Sequence, residues 1–156
     1  MTAILDRPSP VRRPDSAVDR IARHSIDILR ICLGLIIVGF GVLKFFPGVS
    51  PAEPLVTKAV DMLTFGAITG QTAMVVTAAV ECAVGLTLIT GRFLRLGLVV
   101  LAGCVLGWMS PLVLFPGDLF TSHGPTLAAQ YILKDVVLGA AGLVVAARTF
   151  RPVRIS

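Results

Sequence analysis

The chain has 156 residues, enough for one domain, and 55% of them are apolar while only 15% are charged. Together with a mean hydropathy of +0.88, this excludes an ordinary water-soluble globule. The net charge of +5 does not point to nucleic acid, because the basic residues lack interleaved aromatics and a recognition motif.

The position of the charges organises the chain. All eleven arginines (Arg7, Arg12, Arg13, Arg20, Arg23, Arg30, Arg92, Arg95, Arg148, Arg151 and Arg154) lie in the N-terminal tail, one middle loop or the C-terminal tail. Four long apolar stretches run between them. This alternation predicts an all-α integral membrane protein, a four-transmembrane-helix bundle with both termini in the cytoplasm.

Residues 1–25 read as a cytoplasmic tail containing Arg and Pro, helix-compatible from residue 16 onward. Span one covers about 26–46. Its uncharged core, 31–43, is short against the about 20 residues a bilayer requires. Arg30 and Lys44 must therefore snorkel to opposite interfaces, or Lys44 must face inward. No small-residue cleavage site accompanies this stretch, so no cleavable signal peptide is expected. In the outer loop, Ser50, Pro51 and Glu53 read as a cap, a first helical residue and a capping-box acid. Leu55, Val56, Ala59, Val60 and Leu63 follow at helical spacing, predicting a short amphipathic helix. Pro54 removes a donor near its start and can delay it.

Span two covers about 71–90 and is interrupted only by Glu81. The tight hairpin Gly91-Arg92-Phe93-Leu94-Arg95 leads to span three, about 96–115, which carries no charge and is the best candidate for a lipid-facing helix. Gly103 and Gly107 form a G-x-x-x-G pair on it. Ala79 with Ala83, and Gly142 with Ala146, repeat that spacing, which lets helix backbones approach closely. The Gly103 and Gly107 face could equally serve a homo-oligomer or a partner membrane protein. The loop 116–125 is expected to be irregular. Span four covers about 126–147 and contains Lys134 and Asp135; 148–156 is a basic cytoplasmic tail.

Four ionisable groups thus fall inside the apolar stretches: Lys44, Glu81, Lys134 and Asp135. Glu81 lies roughly 15 Å from the outer surface and Lys134 and Asp135 roughly 12–14 Å, while Lys44 is near the outer end of span one. An unpaired charge there costs about 2.5–3.5 kcal/mol. Because the four charges cancel, convergence is favoured, with Glu81 facing inward to meet Lys44 or Lys134. Neighbours Lys134 and Asp135 point about 100° apart. Three readings stay open: an ion network fixing helix register, a polar pocket for a quinone head group or an anion, and a proton or ion path.

Trp108 and Tyr131 fit an interfacial aromatic belt, and Tyr131, one turn before Lys134, can sit at the rim of the polar cluster. Cys32, Cys82 and Cys104 lack C-x-x-C spacing, so neither a disulfide framework nor a metal site is expected. His24 and His123 read as solvated, not as haem ligands.

Arg30-x-x-x-Gly34 leading to Gly41-Val42-Leu43-Lys44-Phe45-Phe46-Pro47 resembles the DoxX-like bacterial membrane proteins. So do Glu81-x-x-x-Gly85 and the Gly91-Arg92 hairpin. Ser110-Pro111-Leu112 and Leu133-Lys134-Asp135 are similar to the reactive-chlorine-resistance (YkgB-type) branch. The resemblance implies a four-helix protein of the bacterial inner membrane linked to redox stress. Some relatives of this family are small subunits of a thiosulfate:quinone oxidoreductase. The resemblance carries over Lys44, Glu81, Lys134 and Asp135 as matching motif positions and establishes a catalytic role for none of them. The chain lacks the paired cysteines of a thiol-redox enzyme, which points away from an autonomous oxidoreductase. The resulting expectation is an accessory subunit with a buried polar site that binds a quinone. The alternatives are a scaffold recruiting partner membrane proteins and, last, a small-molecule or ion transporter.

Overall fold

The computed structural model describes residues 17–122 and 124–150. Most of the N-terminal tail, most of the basic C-terminal tail and His123 lie outside the described residues. Four helices are long and apolar enough to cross a membrane: α1 (Ala17–Leu43), α3 (Gly70–Thr90), α4 (Leu94–Met109) continued by α5 (Pro111–Leu114), and α7 (Leu127–Thr149). Between α1 and α3 lies α2 (Glu53–Leu63). Between α5 and α7 lie α6 (Pro116–Leu119) and the strands β1 (Phe120–Thr121) and β2 (Gly124–Pro125). The start of α1, the α3–α4 hairpin and the end of α7 gather at one end of the bundle, the tail end. The other segments gather at the opposite, loop end.

The 27 residues of α1 make a rod roughly 40 Å long, more than the ~30 Å hydrocarbon layer. It joins the juxtamembrane segment and span one without a break. It also stops at Leu43, sooner than expected: the Lys44 N–H turns back to the Gly41 carbonyl at 3.0 Å. Gly48, at φ +74°, allows the chain to reverse.

The expected capping box of α2 is not formed. Residues 51–52 make a turn, with the Glu53 N–H on the Ser50 carbonyl at 3.1 Å. Ala52 is the N-cap, without a side-chain bond, and Pro54 occupies the first helical turn. The helix therefore begins later than the Ser50 reading predicts. The Glu53 carboxylate instead accepts the Gly48 N–H at 2.7 Å. The loop 116–125 is likewise more ordered than expected. Phe120 pairs with Pro125 and Thr121 with Gly124 in an antiparallel register, and the Thr126 hydroxyl caps α7 by accepting the Ala129 N–H at 3.3 Å.

Small residues set the helix seams. A Cβ on Gly34 would lie 2.8 Å from the Gly85 carbonyl oxygen, and one on Gly85 would lie 2.5 Å from Val38 Cγ2. Thus α1 and α3 touch backbone to backbone, where lipid supplies no hydrophobic drive and close packing must do so. On the α4–α7 seam, Gly139 faces Val105 and Gly142 faces Leu101. The main core is Leu33, Ile37, Val84, Leu88, Leu98, Leu101 and Val145, buried between the four spans.

Two packing expectations are corrected. Nothing lies within 4 Å of a Cβ built on Gly103 or Gly107, so this pair packs no helix within the chain. Ala79 and Ala83 are exposed. Arg30 reaches to the tail end, as expected, and finds a partner there: its guanidinium donates to the Leu88 carbonyl, and to the Ile89 carbonyl at 3.4 Å. These carbonyls lie in the last turn of α3, where intrahelical donors run out.

Candidate functional site

Because α1 ends at Leu43, Lys44 stands at its terminus, and its side chain is only 7% exposed. Its Nζ lies 2.5 Å from Glu81 Oε2, and the Glu81 side chain is 2% exposed. The second oxygen, Oε1, accepts the Trp108 Nε1–H at 2.9 Å. Helical side chains lean towards their own N-terminus. In the antiparallel pair α3 and α4, Glu81 therefore leans towards the loop end and Trp108 away from it, so the two meet. Each carboxylate oxygen holds a donor, which is what a buried carboxylate requires. Among the described residues no buried side-chain polar atom is left without a partner.

Lys134 does not reach Glu81. Its Nζ sits 3.5 Å from the centroid of the Phe40 ring and 4.9 Å from that of Tyr131, a cation–π arrangement. The two rings meet edge to face at 6.5 Å. Asp135 Oδ1 is 3.8 Å from Lys134 Nζ, a loose contact that follows from adjacent positions on one helix.

These groups border one cavity of about 520 Å³, within the 300–1,000 Å³ range typical of small-molecule sites. Lys44, Glu81, Trp108, Tyr131, Lys134 and Asp135 supply its main polar and aromatic features, and most of the remaining wall is aliphatic. Helix α2 contributes Leu55, Val56, Ala59, Val60 and Leu63, the residues whose spacing predicted an apolar face. Gly103 and Gly107 line the cavity as well, which explains why no helix packs on them. Lys58 and Asp118, both half exposed, form an ion pair linking α2 to α6, and Lys58 Nζ lies 4.5 Å over the Phe115 ring.

Two members of the site escape the sequence reading. Trp108 points inward and is not simply part of an interfacial belt. Phe40, unremarked in sequence, is the ring beneath Lys134. The available signals were its place four residues before Lys44 on α1 and the opposed lean of α3 and α4. Cys104 lines the cavity as a free thiol, and Cys32 and Cys82 are also free. The His24 Nδ1 lies 2.9 Å from the Arg20 carbonyl at the exposed surface. Among the described residues no three His, Cys, Asp or Glu side chains converge to hold a metal ion.

No curated protein and no solved structure matches the chain. A family model does: DoxX, over residues 25–116. The matched segment contains Arg30 on its α3 carbonyls, the Gly34–Gly85 contact and the whole Lys44–Glu81–Trp108 network, while Lys134 and Asp135 lie beyond it. With more than half of its length in that match and four membrane-spanning helices around the network, the chain belongs to the DoxX family.

Proposed function

We propose that this protein is an accessory membrane subunit whose cavity seats a quinone head group. The observation that carries the reading is the pairing of a mostly aliphatic cavity of about 520 Å³ with a polar wall of zero formal charge. An ionised ligand would bring uncompensated charge into a low-dielectric site, at a cost of several kcal/mol. A neutral head group with carbonyl acceptors avoids that cost. The Lys134 ammonium and the Tyr131 hydroxyl are the donors such carbonyls can use, and the aliphatic wall suits a ring and its substituents. A bound quinone supplies reversible two-electron, two-proton chemistry; the chain's own residues bind and orient it. Both Glu81 oxygens are occupied, so this carboxylate acts as an anchor for Lys44 and Trp108 and not as a free base. That supports binding over turnover.

The same reading places both termini in the cytoplasm of a bacterial inner membrane. It is supported by Arg20, Arg23, Arg30, Arg92, Arg95 and Arg148, which collect at the tail end, while the loop end has no arginine among the described residues. A role in redox or oxidative-stress physiology, and membership of the reactive-chlorine-resistance branch, follow from the motif resemblance at Ser110-Pro111-Leu112 and Leu133-Lys134-Asp135.

Trp108 is the single tryptophan of the chain, so its emission reports the site directly. Titrating a short-chain quinone into protein in lipid nanodiscs should quench Trp108 along a saturable curve. Glu81→Gln, which keeps an acceptor for Trp108 but removes the counter-charge of Lys44, should weaken saturation. Native quinone should also co-purify with the wild type and be detectable by mass spectrometry. A strictly linear quench in both proteins, with no co-purifying quinone, would reject the reading and favour a scaffold.

A further inference from the structure

We propose that the cavity opens sideways into the bilayer between α3 and α4, and that its ligand is membrane-dissolved: a neutral head group on a hydrocarbon tail that lies in this opening. The proposal rests on the ligand-binding reading above and adds the route and the tail.

The four spans form a ring with four seams, and two are shut beside the cavity by close glycine contacts. The α1–α3 seam is sealed towards the tail end by Gly34 on Gly85, and beside the cavity by Gly41, whose built Cβ would lie 3.0 Å from Cys82 Sγ. The α4–α7 seam is sealed by Gly139 on Val105 and Gly142 on Leu101. On the α7–α1 seam stand Lys134, over the Phe40 ring, and Tyr131, polar and aromatic groups in place of hydrocarbon. At the loop end α2 forms a roof. Its Leu55 packs on the buried group Leu119, Ala129 and Ile132, and Lys58 ties it to Asp118.

The α3–α4 seam differs along its length. Near the hairpin it is shut, since a Cβ on Gly97 would fall 1.9 Å from Thr87 Oγ1. Further along α4, Gly103 and Gly107 meet nothing within 4 Å. Val76, Val80 and Val100 line the cavity yet are 43%, 38% and 37% exposed, and Gly103 is exposed too. These residues form the lips of an opening. Measured along α4 from Leu94, it lies roughly 9–20 Å from the tail end, at the depth of acyl chains and not of water. Its lips offer valine and glycine, which suit a hydrocarbon tail and give a polar solute no hydrogen bonds. Behind them the Trp108–Glu81 bond crosses the seam, so a molecule entering tail-last meets the polar wall with its head.

The test uses the fluorescence of Trp108 in nanodiscs made with phospholipids brominated on their acyl chains. Brominated chains should quench wild type strongly, while aqueous acrylamide quenches weakly. Gly103→Leu, which puts a side chain into the opening, should lose most of the chain-dependent quenching. Val99→Phe, on the lipid face of the same helix and off the cavity, should behave as wild type. If Gly103→Leu does not fold, Val80→Phe narrows the same opening from the opposite lip. Quenching by brominated chains that neither plug reduces, or acrylamide quenching as strong as that by lipid, overturns the route. The two readings fail separately. Saturable quinone binding with plug-insensitive lipid quenching keeps the ligand and rejects the opening. Plug-sensitive lipid quenching without saturable quinone binding keeps the opening and rejects the head-group assignment.

Discussion

The Lys44–Glu81 pair provides the sharpest test of how the bundle is held together. Lys44→Met strands a carboxylate that is 2% exposed; Glu81→Met strands an ammonium that is 7% exposed. Removing one partner of a buried pair costs about 3–5 kcal/mol, and a lone charge within a membrane helix about 2.5–3.5 kcal/mol. The two estimates meet at about 3 kcal/mol for each single substitution. If the losses were independent, the double variant Lys44→Met/Glu81→Met would lose about 6 kcal/mol. It should instead lose about 1–3 kcal/mol, because both charges are gone and the remaining defect is the Trp108 N–H left without its 2.9 Å acceptor. The measurement is reversible unfolding of the four proteins in mixed micelles, followed by helical circular dichroism, assembled into a double-mutant cycle. Single losses that add to within about 0.5 kcal/mol would show that the pair is not coupled, and the account of the site would fail with it.

Other substitutions separate contact from space. Gly85→Ala should destabilise by about 1–3 kcal/mol, since its Cβ would overlap Val38 Cγ2 and the Gly34 carbonyl; an unchanged unfolding midpoint would refute the close α1–α3 contact. Gly103→Ala, with open space around its Cβ, should gain about 0.5–1 kcal/mol from helix propensity alone, read by the same unfolding assay. Arg30→Leu removes the donors to the Leu88 and Ile89 carbonyls and should cost about 1–3 kcal/mol, with amide exchange rising first in the last turn of α3. Lys58→Ala breaks a half-exposed ion pair and should cost no more than about 1 kcal/mol; a larger loss would mean that α2 is held chiefly by that tether.

The four spans were legible because a bilayer imposes a long apolar run and arginine placement reveals which ends share a side. The inward turn of Lys44 was half legible: span one is short of uncharged residues, which left snorkelling and burial as alternatives, and the position of Glu81 favoured burial. Trp108 was misread because the aromatic-belt rule speaks to depth and not to azimuth. Only the opposed lean of side chains on antiparallel helices turns its ring towards Glu81. The start of α2 was misplaced because the capping pattern at Ser50 describes a local option. The chain instead uses Glu53 to satisfy the Gly48 N–H, a contact set by the turn that precedes the helix.

Glycine spacing misled for a deeper reason, and that reason bears on the site. The G-x-x-x-G pattern counts residues along one helix, whereas the tight contact here joins a single glycine on α1 to a single glycine on α3. Gly34 and Gly85 belong to Arg30-x-x-x-Gly34 and Glu81-x-x-x-Gly85, so each lies one turn from a charged residue and brings α1 and α3 close where Arg30 and Glu81 must reach their partners. Gly103 and Gly107 do the opposite: each weakens α4 by about 0.5–1 kcal/mol relative to alanine, and no backbone contact offsets it. What the two positions leave is room beside Trp108 and Glu81, along a seam that every neighbouring contact would otherwise allow to close. A bundle shaped by packing alone would fill that room, since each added methylene buried there contributes about 0.8 kcal/mol. Uncompensated space on a helix otherwise able to pack, next to a fully paired charge network, is the physical reason to regard the cavity as a place for a ligand.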